Sequence, residues 1–293
     1  MKTSSLPTVR TRDALSETVR EWRSTGVRIG FVPTMGALHE GHLSLIKEAA
    51  MHCDKVIASI FINPAQFAPG EDFDAYPRNE ADDIAKLASA GCALAYCPQP
   101  GEMYPEGSVT DVRVEGLSDL LDGIHRPHFF YGVTTVVARL FVHVRPDIAV
   151  FGEKDFQQLQ IIRRMVRDLG FPIEVIGGKI IRANDGLALS SRNAYLSKGD
   201  RGRAGALLAA IHRAAKRIEI GVPVNEACGE AETFLISAGL NSVDYVTAVD
   251  PATLEALPDG PAETGIEGRL LGAVWLGKTR LIDNIGFTRR PPS

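Results

Sequence analysis

The sequence predicts a doubly wound parallel α/β sheet followed by a smaller α+β domain carrying an antiparallel sheet. Three observations predict it. Apolar, β-branched runs alternate with helical patterns through the first 180 or so residues, which is the signature of strands buried under helices on both faces. The order then changes after Asn184-Asp185-Gly186, where two helical stretches precede three strand patterns. Finally, the charged and glycine-rich segments fall where strands end, which is where doubly wound sheets bind ligands.

In order, the strand patterns of the first part are Val27–Val32, Lys55–Ile62, Ala93–Tyr96, Ile148–Phe151, Ile173–Ile176 and Lys179–Arg182. The helical ones are Asp13–Ser24, Leu43–Met51, Asn79–Ala90, Val133–Val144 and Phe156–Leu169. In the second part, helices are expected at about Lys198–Gly221 and Val224–Ala238. Strands follow at Ser242–Val249, Leu270–Trp275 and Arg280–Ile285, with a Pro/Gly/Glu-rich loop from Pro258 to Gly268. Helices followed by strands joined through loose turns read as α+β. The expected domains are residues 1–182 and residues 183–293, and the tail from Arg289 reads as frayed.

Composition removes several classes. A formal charge of -4 over 293 residues leaves no basic footprint for nucleic acid or an anionic membrane. No apolar run reaches the length of a membrane span, and the first residues lack a signal-peptide core. Cys53, Cys92, Cys97 and Cys228 make no CxxC pair and read as buried thiols of a reducing compartment, so the expected location is cytoplasmic.

The richest stretch is Val32-Pro33-Thr34-Met35-Gly36-Ala37-Leu38-His39-Glu40-Gly41-His42. It joins a strand pattern to a helical one, and a helix start offers unpaired N–H groups and partial positive charge to an anion. Gly36 and Gly41 permit close backbone approach, while His39 and His42 can donate N–H to phosphate oxygens. Taken alone, the same residues also suit an ordinary strand-to-helix turn.

Other segments fall at strand ends as well. Ile62-Asn63-Pro64-Ala65-Gln66-Phe67 offers two neutral amides that can orient a small polar substrate, or simply a turn. Asp82 and Asp83 open a helix, where acids complement the dipole and could also hold Mg²⁺. Phe151-Gly152-Glu153-Lys154-Asp155-Phe156-Gln157-Gln158 runs from a strand into charge; Lys154 can sit on a phosphate, and Gln158 faces the same way one turn later. Leu189-Ser190-Ser191-Arg192 adds hydroxyls and a guanidinium suited to an anion. A lysine, a hydroxyl-rich arginine loop and two glutamines with no obvious nucleophile suit attack by a bound carboxylate on a nucleotide's α-phosphorus.

Six blocks in order, PTMGALHEGH, SIFINPAQF, DFDAYPRNEADD, FGEKDFQQL, DGLALSSRN and WLGKTRLIDN, resemble the pantothenate synthetase (pantoate–β-alanine ligase) family over roughly residues 10–287. The resemblance implies the HxGH nucleotidyltransferase-like Rossmann fold, a homodimer, and ATP-dependent joining of pantoate to β-alanine by way of a pantoyl-adenylate. It implies catalytic roles for His39, His42 and Lys154. It assigns ATP to Met35, Gly36, Ala37, Leu38, His39, Glu40, Gly41 and His42, to Gly152, Glu153, Lys154 and Asp155, to Ile181, and to Leu189, Ser190, Ser191 and Arg192. Gln66 and Gln158 match pantoate-binding glutamines, Asn63 a site amide, and Asp82 the Mg²⁺ acid, with the C-terminal domain as a lid. One departure stands out: where the family commonly has a histidine, this chain has Phe129, with His128 one residue early.

Two alternatives stay open at the level of sequence. The chain could transfer a nucleotide to a different small acceptor and stop there. His39, His42 and a carboxylate could instead form a zinc site in a hydrolase, although zincin histidines stand four apart on a helix and these are three apart at a turn.

Overall fold

A computed structural model describes residues 6–68, 71 and 73–290. The end of the tail beyond Arg290, and Asp72 within the DFDAYPRNEADD block, lie outside the described residues. The chain divides into two compact units, one running to Glu153 and resuming at Gln158–Ile180, the other made of Lys154–Gln157 and the residues from Ile181 onward.

The first unit is built on strands β1 (Thr8–Val9), β2 (Ile29–Thr34), β3 (Lys55–Ile60), β4 (Leu94–Tyr96), β5 (Ile148–Gly152) and β6 (Glu174–Gly178). They form one sheet in the order β1-β4-β3-β2-β5-β6, every neighbouring pair parallel. Strand alternation explains why both faces are covered. Ile29, Phe31, Ile57, Leu94, Tyr96, Ala149 and Phe151 point into one core, while Val32, Val56, Ala58, Ala95, Ile148 and Val150 point into the other. Helices α1 (Arg12–Ser24) and α6 (Phe129–Val144) and the apolar side of α7 (Phe156–Leu169) close the first core. Helices α2 (Glu40–Ala50) and α3 (Glu80–Ser89) close the second. Two single-turn helices, α4 (Pro100–Met103) and α5 (Asp122–His125), lie on the connection into α6. The chain leaves β2 to β3 on one side and to β5 on the other, so the sheet's switch point lies at β2 and β5.

The second unit contains α8 (Lys198–Arg203), α9 (Ala206–Glu219) and α10 (Val224–Ser237), then β7 (Ser242–Val249), β8 (Glu267–Leu276) and β9 (Thr279–Thr288) in an antiparallel sheet ordered β7-β8-β9. Leu207, Ile211 and Ile218 of α9 and Ala227 and Leu235 of α10 pack on Val246, Leu270, Val274 and Leu281 of the sheet.

Three local expectations are corrected. The run Lys179–Arg182 is not a strand; Arg182 makes only an isolated antiparallel bridge to Ala188. The helix expected over Lys198–Gly221 breaks between α8 and α9 at Gly205, which packs so closely on the Asp185 carbonyl that a side chain there would sit 2.7 Å from it. Helix α6 begins at Phe129, four residues before the apolar periodicity suggests.

Candidate active site

β2 ends at the switch point and runs through Met35, Gly36, Ala37 and Leu38 into α2. Gly36 has φ +81° and Ala37 φ +51°, so the chain turns through two consecutive left-handed residues, the second at a cost for an alanine. A side chain at position 36 would also lie 2.9 Å from Asp83 Oδ2. The turn is held from α3: Asp83, 2% exposed, accepts the Ala37 N–H at 2.9 Å and the Leu38 N–H at 2.8 Å. Two charge-assisted bonds satisfy a carboxylate that burial alone would disfavour. Lys86, one turn further along α3, donates to the Leu38 carbonyl at 2.8 Å.

His39 is the N-cap of α2, and His42 lies in its first turn. The Gly41 N–H donates to His39 Nδ1 at 3.1 Å, and the His39 N–H lies 3.4 Å from His42 Nδ1. A backbone N–H can only donate, so both Nδ1 atoms are acceptors and both neutral rings carry their proton on Nε2. The rings lie 4.1 Å apart between centroids, tilted by 38°. Two Nε2–H donors are thereby set at the start of a helix, an arrangement matched to phosphate oxygens.

The two neighbouring aspartates divide their work. Asp83 is committed to the loop, whereas Asp82 is half exposed and pairs with Lys86 at 2.7 Å. Among the described residues, no group of three or more His, Cys, Asp or Glu stands where it could hold a metal. One carboxylate with an ammonium beside it fits Mg²⁺ only if the ion arrives with phosphate and water as its other ligands, which is how Mg²⁺ is commonly held.

After β3, Asn63 caps a short 3-10 turn, Pro64–Gln66. The Asn63 side chain is 1% exposed; it donates to Gln66 Oε1 and to the Gly132 carbonyl, both at 3.0 Å, and accepts from Tyr104 Oη at 2.8 Å. α6 can approach this turn because residue 132 is glycine: a side chain there would lie 2.2 Å from the Ala65 carbonyl. Arg126 makes a bidentate pair with Glu71 at 2.9 and 2.8 Å, donates to the Gln66 carbonyl at 3.3 Å, and places its guanidinium 3.8 Å over the Phe129 ring. Phe129 thus supports Arg126 by a cation–π contact. Gln158 stands on the first turn of α7, partly exposed, and buried Gln157 is its neighbour.

In the second unit, Lys154 and Asp155 follow Gly152 and Glu153 at the end of β5, and the Lys154 ammonium lies 3.5 Å from Asp155 Oδ1. Asn284 of β9, buried, donates from Nδ2 to the Lys154 carbonyl at 2.9 Å and accepts from Arg269 Nε at 2.7 Å. The segment from Ile181 to Arg192 forms a tight return. The Leu189 N–H donates to the Ile181 carbonyl at 2.9 Å, and Gly186 supplies φ +87° at the bend. Arg182 fixes this return through a bidentate pair with buried Asp283 and a 3.0 Å bond to the Gly186 carbonyl. Ser190 then caps the short 3-10 helix Ser191–Tyr195, accepting from the Arg192 N–H.

Four residues of these frameworks escape a reading of the sequence in the roles seen here: Asp83, Tyr104, Arg126 and Asn284. Asp83 and Asn284 lie inside recognisable blocks, but their partners are 46 and 130 positions away. Tyr104 lies in no block and has no local signal.

A family model for pantoate-beta-alanine ligase matches residues 7–286. The chain is 64% identical over 289 residues to the pantothenate synthetase of Hyphomonas neptunium, covering 98% of this chain and 99% of that one. The crystal structure of pantothenate synthetase from Thermus thermophilus superimposes with a TM-score of 0.89 at 45% identity, covering 98% of this chain and all of that one. The Francisella tularensis pantoate-beta-alanine ligase, complexed with beta-gamma ATP and beta-alanine, superimposes with a TM-score of 0.79 at 32% identity over the same shares. The chain therefore belongs to the pantoate–β-alanine ligase family, the ATP-dependent ligases that make pantothenate.

Proposed function

We propose that this ligase works in two steps through a pantoyl-adenylate. A carboxylate oxygen of pantoate attacks the α-phosphorus of ATP, the bond to the bridging oxygen breaks, and pyrophosphate leaves with that electron pair. The β-alanine amine, having shed its proton, then attacks the acyl carbon; the acyl–oxygen bond breaks, AMP leaves with that electron pair, and the nitrogen loses a second proton to give the amide. Adenylation is needed because a carboxylate is a poor acyl electrophile.

The observation that carries this reading is the pair of imidazoles at the start of α2, each held with Nε2–H as a donor. Donors fixed before reaction stabilise charge that grows on the leaving pyrophosphate without reorganisation. In this reading His39 and His42 donate hydrogen bonds to the phosphates, with His42 donating to the leaving pyrophosphate. Met35–Leu38, Glu40 and Gly41 form the turn against which ATP packs, its shape held by the bonds from Ala37 and Leu38 to Asp83. Gly152–Asp155, Ile181 and Leu189–Arg192 complete its binding, with Lys154 as a charge on phosphate. Gln66 and Gln158 orient pantoate, and Asn63 contributes through its contacts around Gln66. Asp82 would hold Mg²⁺, which when bound neutralises phosphate charge. The complex of the Francisella relative with an ATP compound and β-alanine supports the same ligand set. We further assign a homodimer and a cytoplasmic location.

Exchange of labelled pyrophosphate into ATP tests the first step. It is expected to depend on pantoate and to proceed without β-alanine; exchange that requires β-alanine would overturn the two-step reading.

A further inference from the structure

Asn63 has one possible orientation. The Gly132 carbonyl can only accept and the Ala65 N–H can only donate, and they meet Asn63 Nδ2 at 3.0 Å and Oδ1 at 3.3 Å. The side-chain amide therefore cannot be flipped without opposing like groups at both ends. Two consequences follow. The second hydrogen on Nδ2 points at Gln66, so the Gln66 atom 3.0 Å away must be its oxygen. The second acceptor direction of Oδ1 faces Tyr104, so the phenol at 2.8 Å must donate.

Tyr104 is well placed to hold that bond. Arg139 lies 4.7 Å over its ring and is itself tied to the Met103 and Thr110 carbonyls and to Ser108 Oγ. The ring also lies 6.4 Å from Phe61 between centroids. Burial pushes the phenol up to about 12, which keeps it protonated and able to donate at any ordinary pH.

We propose that Tyr104 is a positioning residue for the acid substrate: the main chain sets which way the Asn63 amide faces, and the phenol, donating to Oδ1, holds that amide in place against Gln66, whose nitrogen, a donor, is then the end left to meet a substrate oxygen. This rests on the reading that Gln66 binds pantoate. A Gln66 amide free to turn would present its oxygen as often as its nitrogen, and an oxygen facing a hydroxyl or carboxylate oxygen weakens binding. The fixed chain from Tyr104 makes one orientation the ground state before substrate arrives.

The test is a double-mutant cycle with Tyr104→Phe and Gln66→Ala. Tyr104→Phe removes one oxygen and leaves the ring between Arg139 and Phe61. It is expected to raise the KM for pantoate about five-fold, the weight of one net hydrogen bond. The KM for ATP should hold, and the thermal midpoint should fall by no more than the loss of one hydrogen bond accounts for. In the Gln66→Ala background the same change should add nothing, because the group it positions is gone. A five-fold effect that persists in that background, or shifts in the KM for ATP of the same size, would show a general structural role and overturn the proposal. So would an unchanged KM for pantoate in Tyr104→Phe while Gln66→Ala raises it. If Gln66→Ala itself leaves pantoate use unchanged, the pantoate assignment of Gln66 fails, and the proposal falls with it.

Discussion

The carboxylate of Asp83 accepts the main-chain N–H of Ala37 at 2.9 Å and so holds a left-handed alanine in the turn between β2 and α2. Its other oxygen takes the Leu38 N–H, so one buried side chain fixes two successive peptides just ahead of His39. Asp83→Asn would turn one of these acceptors into a donor facing a donor. We expect a loss of about 1–3 kcal/mol in chemical denaturation, the usual cost of a buried polar group left unmatched. Pyrophosphate exchange should fall with it. Asp82→Asn, at a half-exposed position, should leave the denaturation midpoint close to that of the unaltered protein.

The two histidines combine capping with donation, and substitution can separate the two. His39→Asn retains a side chain suited to cap α2, whereas His39→Ala loses the cap as well. Both should lose the Nε2–H donor and with it roughly 10²–10³-fold in the adenylation rate. The alanine variant should also be less stable by about 1 kcal/mol. Near-normal exchange rates in His39→Asn and His42→Ala would remove the phosphate role from this pair.

Lys154 and Gln66 should fail in different ways. Lys154→Ala is expected to lower kcat more than it raises the KM for ATP, because its charge matters most as pyrophosphate departs. Gln66→Ala should chiefly raise the KM for pantoate. Asn284→Ala removes the donor to the Lys154 carbonyl, and should lower kcat in the same direction as Lys154→Ala but by less. Steady-state kinetics with each substrate varied in turn distinguish these patterns.

Burial pushes all four thiols upward, Cys92 and Cys228 to about 11 and Cys97 to about 12. The unfolded chain ionises these groups near their ordinary value of 9.0, so above that pH it binds fewer protons than the folded protein. Their contribution to stability is therefore complete below about pH 9 and declines as pH rises toward 11–12. Denaturation followed between about pH 8 and 10.5 should show this fall. Near neutral pH, a thiol reagent should reach half-buried Cys53 before the other three, which should react only on unfolding.

The parts of this protein legible in its sequence are those that local pattern controls. β-branched runs such as Lys55–Ile60 fix both their own conformation and the two faces they cover, and Gly36, ahead of His39, marks a backbone that must turn sharply. The remainder depends on partners distant in the chain. Lys179–Arg182 has the composition of a strand, yet the Ile181 carbonyl accepts from the Leu189 N–H and the Arg182 side chain donates to the Gly186 carbonyl, so the chain turns back on residues 186–189. Thr8–Val9 becomes a strand only because the Leu94–Tyr96 edge is there to pair with it. Asp82 and Asp83 are indistinguishable by type, and only the geometry of α3 directs one into the loop and the other toward Lys86. The departure at Phe129 reads as a loss in the sequence, whereas in the structure the ring lies under Arg126.

The most direct test of the central claim is a rapid-quench single turnover with ATP, Mg²⁺ and pantoate in the absence of β-alanine. A stepwise ligase should release one pyrophosphate per active site in a burst and retain pantoyl-adenylate, which β-alanine added later converts to pantothenate and AMP. Pyrophosphate that appears only once β-alanine is present would contradict the account, since the adenylate would then not form as a separate step.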